Sequence, residues 1–175
     1  MSDLSTRLRG AIRDIPDFPK RGIVFKDITP VLMAPELFKE ATDAMAAPFS
    51  GERVSHVVAI ESRGFILGAP IAQRLGAGFI PMRKPGKLPH RVERVEYALE
   101  YGIDALEVHG DALGSADRVL IADDVLATGG TAAAACQLVE KLGARVVGFS
   151  FLITLSFLAG EGVLKSRRVE RLVRF

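Results

Sequence analysis

Apolar and polar positions alternate along this chain in short blocks of changing period. Leu4, Leu8, Ala11, Ile12 and Ile15 recur at helical spacing and predict an amphipathic helix over residues 3–14, ended by Pro16. Residues 17–35 are dense in proline, glycine and turn formers, with a short strand expected at 22–25; a second helix is expected over 36–46. A strand at 56–60 leads through a loop at 61–64 into a helix running to Leu75, with Gly76 as its stop and Pro70 leaving its start open. Another strand is expected at 79–82. The run 119–122 is too short and too uniformly apolar for a half-exposed strand, so it predicts one covered on both faces. Ala135, Leu138, Val139 and Leu142 mark the inner face of a helix over 131–142, stopped by Gly143, and a strand from 145 to about 155 follows. This strand–helix alternation predicts an α/β fold built on a right-handed parallel sheet.

One stretch breaks the pattern. Residues 83–102 hold Lys84-Pro85-Gly86-Lys87, then Pro89, then many charges. So long a connection in a compact domain is a functional loop or a disordered one. The whole chain of 175 residues suits a single domain with a full core, and 49% hydrophobic content with mixed charge describes a globular protein. A net charge of +2 gives no argument for nucleic acid as a partner. The single cysteine, Cys136, cannot close an internal disulfide, and its helical setting fits a small buried hydrophobe better than a nucleophile. The N-terminal residues lack the apolar core of a signal peptide, and the longest apolar-rich stretch, 146–158, is too short to span a bilayer. A soluble, cytoplasmic protein without membrane contact is expected.

The chemistry concentrates after the 119–122 run. Asp123 and Asp124 fall at the carboxyl end of that strand, where open α/β sheets bind their ligands. Ala127, Thr128, Gly129, Gly130 and Thr131 then offer bare backbone N–H groups at the start of a helix whose dipole favours an anion. Acids for sugar hydroxyls or a metal shell, followed by a phosphate cradle, describe a ribose-phosphate site. The segment is neither a P-loop nor a dinucleotide fingerprint, since it lacks both glycine patterns and two acids precede its glycines. It resembles the 5-phosphoribosyl-1-pyrophosphate (PRPP) motif of the type I phosphoribosyltransferases.

Two further segments carry charge to strand ends. Glu61-Ser62-Arg63-Gly64 follows the 56–60 strand; Arg63 offers a planar fork suited to phosphate oxygens, and Gly64 leaves the backbone N–H groups accessible. Beside the PRPP-like motif, Arg83, Lys84 and Lys87 look like countercharge for pyrophosphate, between prolines and a glycine that suit a closing lid.

Pro16 to Pro19, Gly22 to Pro30, Glu61 to Phe65, Arg83 to Pro89 and Glu100-Tyr101-Gly102 occur in order with the PRPP motif. Together they resemble the adenine phosphoribosyltransferases, over about residues 14 to 158. The resemblance implies the type I fold, a parallel sheet of about five strands flanked by helices, with a small hood over about 1–35 and a lid over about 83–102. It implies transfer of phosphoribosyl from PRPP to adenine, giving AMP and pyrophosphate. Phe25 would stack on adenine, with the backbones of Val24 and Lys26 at the ring's edge. Arg63 would lie in the base pocket or on the pyrophosphate loop with Ser62, and the Glu61–Ser62 peptide would be cis. Asp123 and Asp124 would hold the ribose hydroxyls directly or through hydrated Mg²⁺, which PRPP and water hold with no direct protein ligand. Ala127 to Thr131 would take the 5-phosphate; Lys84 and Lys87 would meet pyrophosphate; Arg83 would reach across a homodimer. Glu100 would carry the acid–base role. Thr154 and Glu161 depart from the family pattern, and His90 to Arg94 are unusually charged. Two rivals stand beside this reading: a phosphoribosyltransferase for another purine, and a PRPP-binding regulator without catalysis.

Overall fold

The computed structural model describes residues 3–98, 103–164 and 167–175. In chain order its main elements are α1 (Leu4–Ala11), β1 (Arg13–Pro16), β2 (Val24–Asp27), α2 (Thr29–Met33), α3 (Pro35–Ala46), β3 (His56–Ile60), α4 (Arg63–Leu75), β4 (Gly78–Met82), β5 (Val92–Ala98), β6 (Ile103–His109), β7 (Arg118–Leu126), α5 (Gly130–Lys141), β8 (Arg145–Thr154) and β9 (Val169–Arg174). Five strands form the central sheet in the order β4-β3-β7-β8-β9, and every neighbouring pair is parallel.

The uniformly apolar runs follow from burial on both faces. Val58, Ile121, Phe149 and Phe151 pack with Ala135, Leu138 and Val139 of α5 and with Leu106 and Val108 of β6. Their strand neighbours Val57, Leu120 and Leu152 turn to the other face, against Leu8, Met45, Leu67 and Ile71 from α1, α3 and α4. Alternate residues of one strand thus enter different cores, so nearly all are apolar, and the buried Ser150 of β8 is satisfied by donating to the Met45 carbonyl at 2.9 Å. Leu120 and Ile121 are both fully buried, and truncating either to alanine costs about 2–5 kcal/mol.

Three expectations need correction. The N-terminal helix stops at Ala11 rather than 14, because Arg13–Pro16 instead pairs antiparallel with Val24–Asp27. Pro16 cannot continue a helix, and Arg13 gains an ion pair with Asp27 at 2.9 Å. The turn-rich segment holds the short helix α2, with Pro30 in its first turn, where a missing N–H costs nothing. The charged connection carries a strand: β5 pairs antiparallel with β6, from Val92↔His109 to Ala98↔Ile103. Its alternation is real but disguised, since Val95 and Tyr97 face the core while Glu93 on the same side reaches Lys141 of α5 at 2.7 Å. The expected sheet of about five strands is present, with β9 at its edge.

Candidate active site

The carboxyl ends of β3, β4 and β7 open into one cleft of about 400 Å³, and β2 of the N-terminal hairpin stands across it. Its lining brings together most of the predicted residues: Val24, Phe25, Lys26, Ser62, Arg63, Lys84, Asp123, Asp124, Ala127 and Thr131. Thr128 and Gly129 line a small adjoining hollow of about 80 Å³ with Ala127 and Thr131, the turn into α5. Gly130 is the first residue of α5.

The acids are organised asymmetrically. Asp124 is buried, and its carboxylate accepts a hydrogen bond from Arg63 Nε. Its backbone N–H donates to Asp123 Oδ1 at 2.9 Å. Burial and the neighbouring Asp124 charge push the Asp123 carboxyl well above the usual carboxylate range. Such a carboxyl is poised to gain from any hydroxyl donor or cation brought beside it. Gly64, the second residue of α4, packs against this pair, with its backbone at Asp123 and the Ala122 carbonyl. The Glu61–Ser62 peptide just before α4 is cis.

The apolar end of the cleft gathers Ile23, Val24, Phe25 and Leu155. The Arg63 guanidinium lies 5.1 Å from the centre of the Phe25 ring, so a cation and an aromatic face converge there. Lys26 bonds Asp14 at 2.6 Å, and its ammonium sits over the Phe175 ring. Its side chain is therefore occupied on the hood, although Lys26 still lines the cleft.

The three cations after β4 divide into two groups. Arg83 and Lys87 both bond the Glu61 carboxylate, at 3.1 Å and 2.8 Å, and the Lys84 N–H donates to it at 3.0 Å. Burial opposes ionisation of Glu61, but these donors prevail and bring its pKa from 4.5 to about 2. Arg83 also donates to the Lys87 carbonyl at 2.9 Å. Lys84 alone of the three cations lines the cleft, and its ammonium bonds Asp104 and, at 2.9 Å, the Tyr97 hydroxyl.

Several residues escaped sequence reasoning. Glu61, Tyr97 and Asp104 organise the cations, and Leu155 completes the apolar end. Only the position of Glu61 directly after a strand hinted at a role. Glu100, predicted as the acid–base residue, lies outside the described residues with Tyr101 and Gly102. Thr154 is buried at the end of β8, its hydroxyl without a hydrogen-bond partner among the described residues. Glu161 approaches Arg171 and Arg174 at 3.5 and 3.6 Å. Cys136 is buried and its thiol is pushed up to about 11, chiefly by that burial, which leaves it unreactive. No helix among the described residues is long and apolar enough to cross a membrane.

Comparison with known proteins places the chain closely. The phosphoribosyl transferase domain model matches residues 31–167. Adenine phosphoribosyltransferase of Myxococcus xanthus (strain DK1622) is 58% identical over 175 residues, covering 100% of this chain and 93% of that protein. The crystal structure of adenine phosphoribosyltransferase from Rhodothermus marinus superposes with a TM-score of 0.94 at 51% identity, over 98% of each chain. The Saccharomyces cerevisiae enzyme, crystallised with adenine and an imino-altritol bisphosphate, superposes with a TM-score of 0.91 at 39% identity, over 97% of this chain and 98% of that one.

Proposed function

This chain belongs to the adenine phosphoribosyltransferases of the phosphoribosyl transferase family, and we propose that the cleft described above joins adenine to the ribose 5-phosphate of PRPP. The reaction forms the bond from adenine N9 to the anomeric carbon and breaks the bond from that carbon to pyrophosphate, which leaves with the bonding electrons. Adenine gives up its N9 proton overall. The observation that carries this assignment is the convergence on one cleft of an acid pair, an N–H-rich turn into a helix, a cation after β4 and an aromatic on a separate hood.

Each part answers one portion of the substrates. The N–H groups from Ala127 to Thr131 bind the 5-phosphate, where the dipole of α5 favours negative charge. Asp123 and Asp124 hold the ribose hydroxyls, and Arg63 fixes Asp124 while facing the base pocket. Adenine lies against Phe25 at the apolar end, its edge read by the backbones of Val24 and Lys26. Ser62 and Lys84 meet the diphosphate, with Arg83 and Lys87 behind them on Glu61. Glu100 accepts or shares the proton as positive charge grows on the base, a contribution of about 10²–10⁴ in rate. Replacing Glu100 by leucine removes most turnover and leaves PRPP binding intact.

Magnesium suits this site. The Asp123 carboxyl, raised by burial and by Asp124, is relieved by a cation nearby, and the hard oxygen donors of the pair fit a hydrated ion. Such an ion, brought with PRPP, offsets phosphate charge. The same family reading gives a homodimer and a cytoplasmic setting, the latter in keeping with one buried cysteine; sedimentation of the purified protein tests the former.

The decisive assay is pyrophosphate release from PRPP and Mg²⁺ with adenine, hypoxanthine, guanine and xanthine in parallel. Release with adenine alone is expected. Release with another base would refute the assignment of Val24, Phe25 and Lys26, and PRPP binding without release would return the chain to the regulators.

A further inference from the structure

Asp104 is the second residue of β6, directly across the hairpin from Tyr97. Its carboxylate is fixed from two sides: Oδ1 accepts the Ala105 N–H at 2.8 Å, and Oδ2 accepts the Tyr97 hydroxyl at 3.1 Å as well as the Lys84 ammonium. The Tyr97 oxygen in turn accepts from Lys84 at 2.9 Å and from Thr131 Oγ1, on the phosphate turn, at 3.3 Å. Tyr97 therefore spends its one proton on Asp104 and both lone pairs on cleft residues. Among the described residues the third proton of the Lys84 ammonium has no partner, and Lys84 lines the cleft.

The charges are matched unequally. Arg83 and Lys87 share one carboxylate, Glu61, and so keep a net positive charge between them. Lys84 is matched one to one by Asp104. Burial disfavours the charged form of Lys84, yet the bonds to Asp104 and Tyr97 hold its pKa above the usual lysine value, so the pair is ionic. The carboxylate is tied to a strand, whereas the lysine ends a four-carbon stem. When an anion arrives, the lysine can turn toward it and the acid must stay.

We propose that Asp104 is a built-in competitor for Lys84, a positioning residue that holds the ammonium at the cleft and limits how tightly a diphosphate is bound there. The proposal rests on the reading of Lys84 as a pyrophosphate contact. A diphosphate must share Lys84 with Asp104 and also sits near its fixed negative charge, so pyrophosphate is held less firmly after transfer and leaves sooner.

The test is calorimetric titration of the full chain with inorganic pyrophosphate and Mg²⁺, beside steady-state kinetics. In Asp104→Asn, which keeps the shape and removes the charge, pyrophosphate binds about tenfold more tightly. The adenine KM stays within about twofold, because the charge acts on the diphosphate and not on the base. Asp104→Glu restores a carboxylate and returns pyrophosphate binding toward wild type. Asp104→Ser gives the same reading as the amide should that variant fail to fold. Unchanged or weaker pyrophosphate binding in the uncharged variants overturns the proposal. The underlying reading fails differently: Lys84→Met would then bind pyrophosphate as well as wild type, or the wild-type chain would make no AMP.

Discussion

Gly64 seats its backbone directly against the carboxylate of Asp123. A β-carbon on Gly64 would stand 2.7 Å from Asp123 Oδ1 and 3.2 Å from the Ala122 carbonyl oxygen. The first is a side-chain atom that can turn aside, but only by leaving its bond with the Asp124 N–H. The second is backbone of the central strand and cannot yield. Gly64→Ala is therefore expected to displace the ribose-binding acids, costing about 1–3 kcal/mol in urea unfolding. It should also lose about a hundredfold in kcat/KM for PRPP, since misplacement by an ångström has that effect. Activity within twofold of wild type would show that Asp123 need not hold its present position.

Glu61 links acid stability to the cation loop. Its pKa falls from 4.5 to about 2 because Arg83, Lys87 and the Lys84 N–H outweigh the penalty of burial. A folded-state pKa below the unfolded one stabilises the protein above pH 4.5, and that contribution disappears as pH falls toward 2. With Lys87 half-exposed and partly screened, the contribution is about 2 kcal/mol at neutral pH. Glu61→Gln should thus be less stable than wild type at pH 7 by that amount, with the gap closing in denaturant titrations below pH 4. A gap that persists undiminished in acid would place its origin in packing rather than charge.

Much of this geometry was legible along the chain because it is local. The doubly buried stretches 57–60 of β3 and 119–122 of β7 are written as unbroken apolar runs, and the phosphate turn is contiguous with the acids that precede it. What stayed hidden depends on pairing at a distance. The run from Val92 to Ala98 reads as a charged loop because Glu93 occupies a core-side position and is satisfied only by Lys141 from α5. Nothing near Asp104 in the chain announces that it faces Lys84, 20 residues away across a hairpin. The edge strand β9 is half-exposed, so its alternation of charged and apolar residues resembles a surface segment. Leu155 joins the base pocket only because β8 ends beside β7, with Thr154 opposite Leu126.

Phe25 separates base recognition from phosphate recognition. It lies on the hood, half-buried, edge-on to Phe18 at 5.2 Å and beneath the Arg63 guanidinium, and it takes no part in either main core. Its loss should leave the fold intact. An aromatic face under a base contributes about 1–3 kcal/mol, so Phe25→Ala should raise the adenine KM about ten- to hundredfold. The KM for PRPP should move by no more than about threefold, because the variant removes a contact made to the base alone. Parallel rises in both constants would argue that the hood positions the whole cleft.

Gly160 controls the phosphate turn from behind. A β-carbon there would lie 2.1 Å from the Ala127 carbonyl oxygen and 2.9 Å from the Gly129 nitrogen. Gly129 itself has φ of 86°, a conformation suited to glycine, and a β-carbon on it would meet the Gly160 carbonyl at 2.6 Å. The two glycines are thus pressed backbone to backbone, and no side-chain movement can make room. Gly160→Ala must push the turn toward the space where the 5-phosphate binds or push the 160–162 turn outward. In the first case the N–H groups lose their aim, and the PRPP KM rises at least about tenfold with the adenine KM little changed. In the second the PRPP KM is preserved and only stability falls, by about 1–3 kcal/mol. The first is expected, because the 160–162 turn is tied through Glu161 to Arg171 and Arg174 near the sheet edge. Kinetics with each substrate varied in turn, beside a thermal melt of the same preparation, separates the two outcomes.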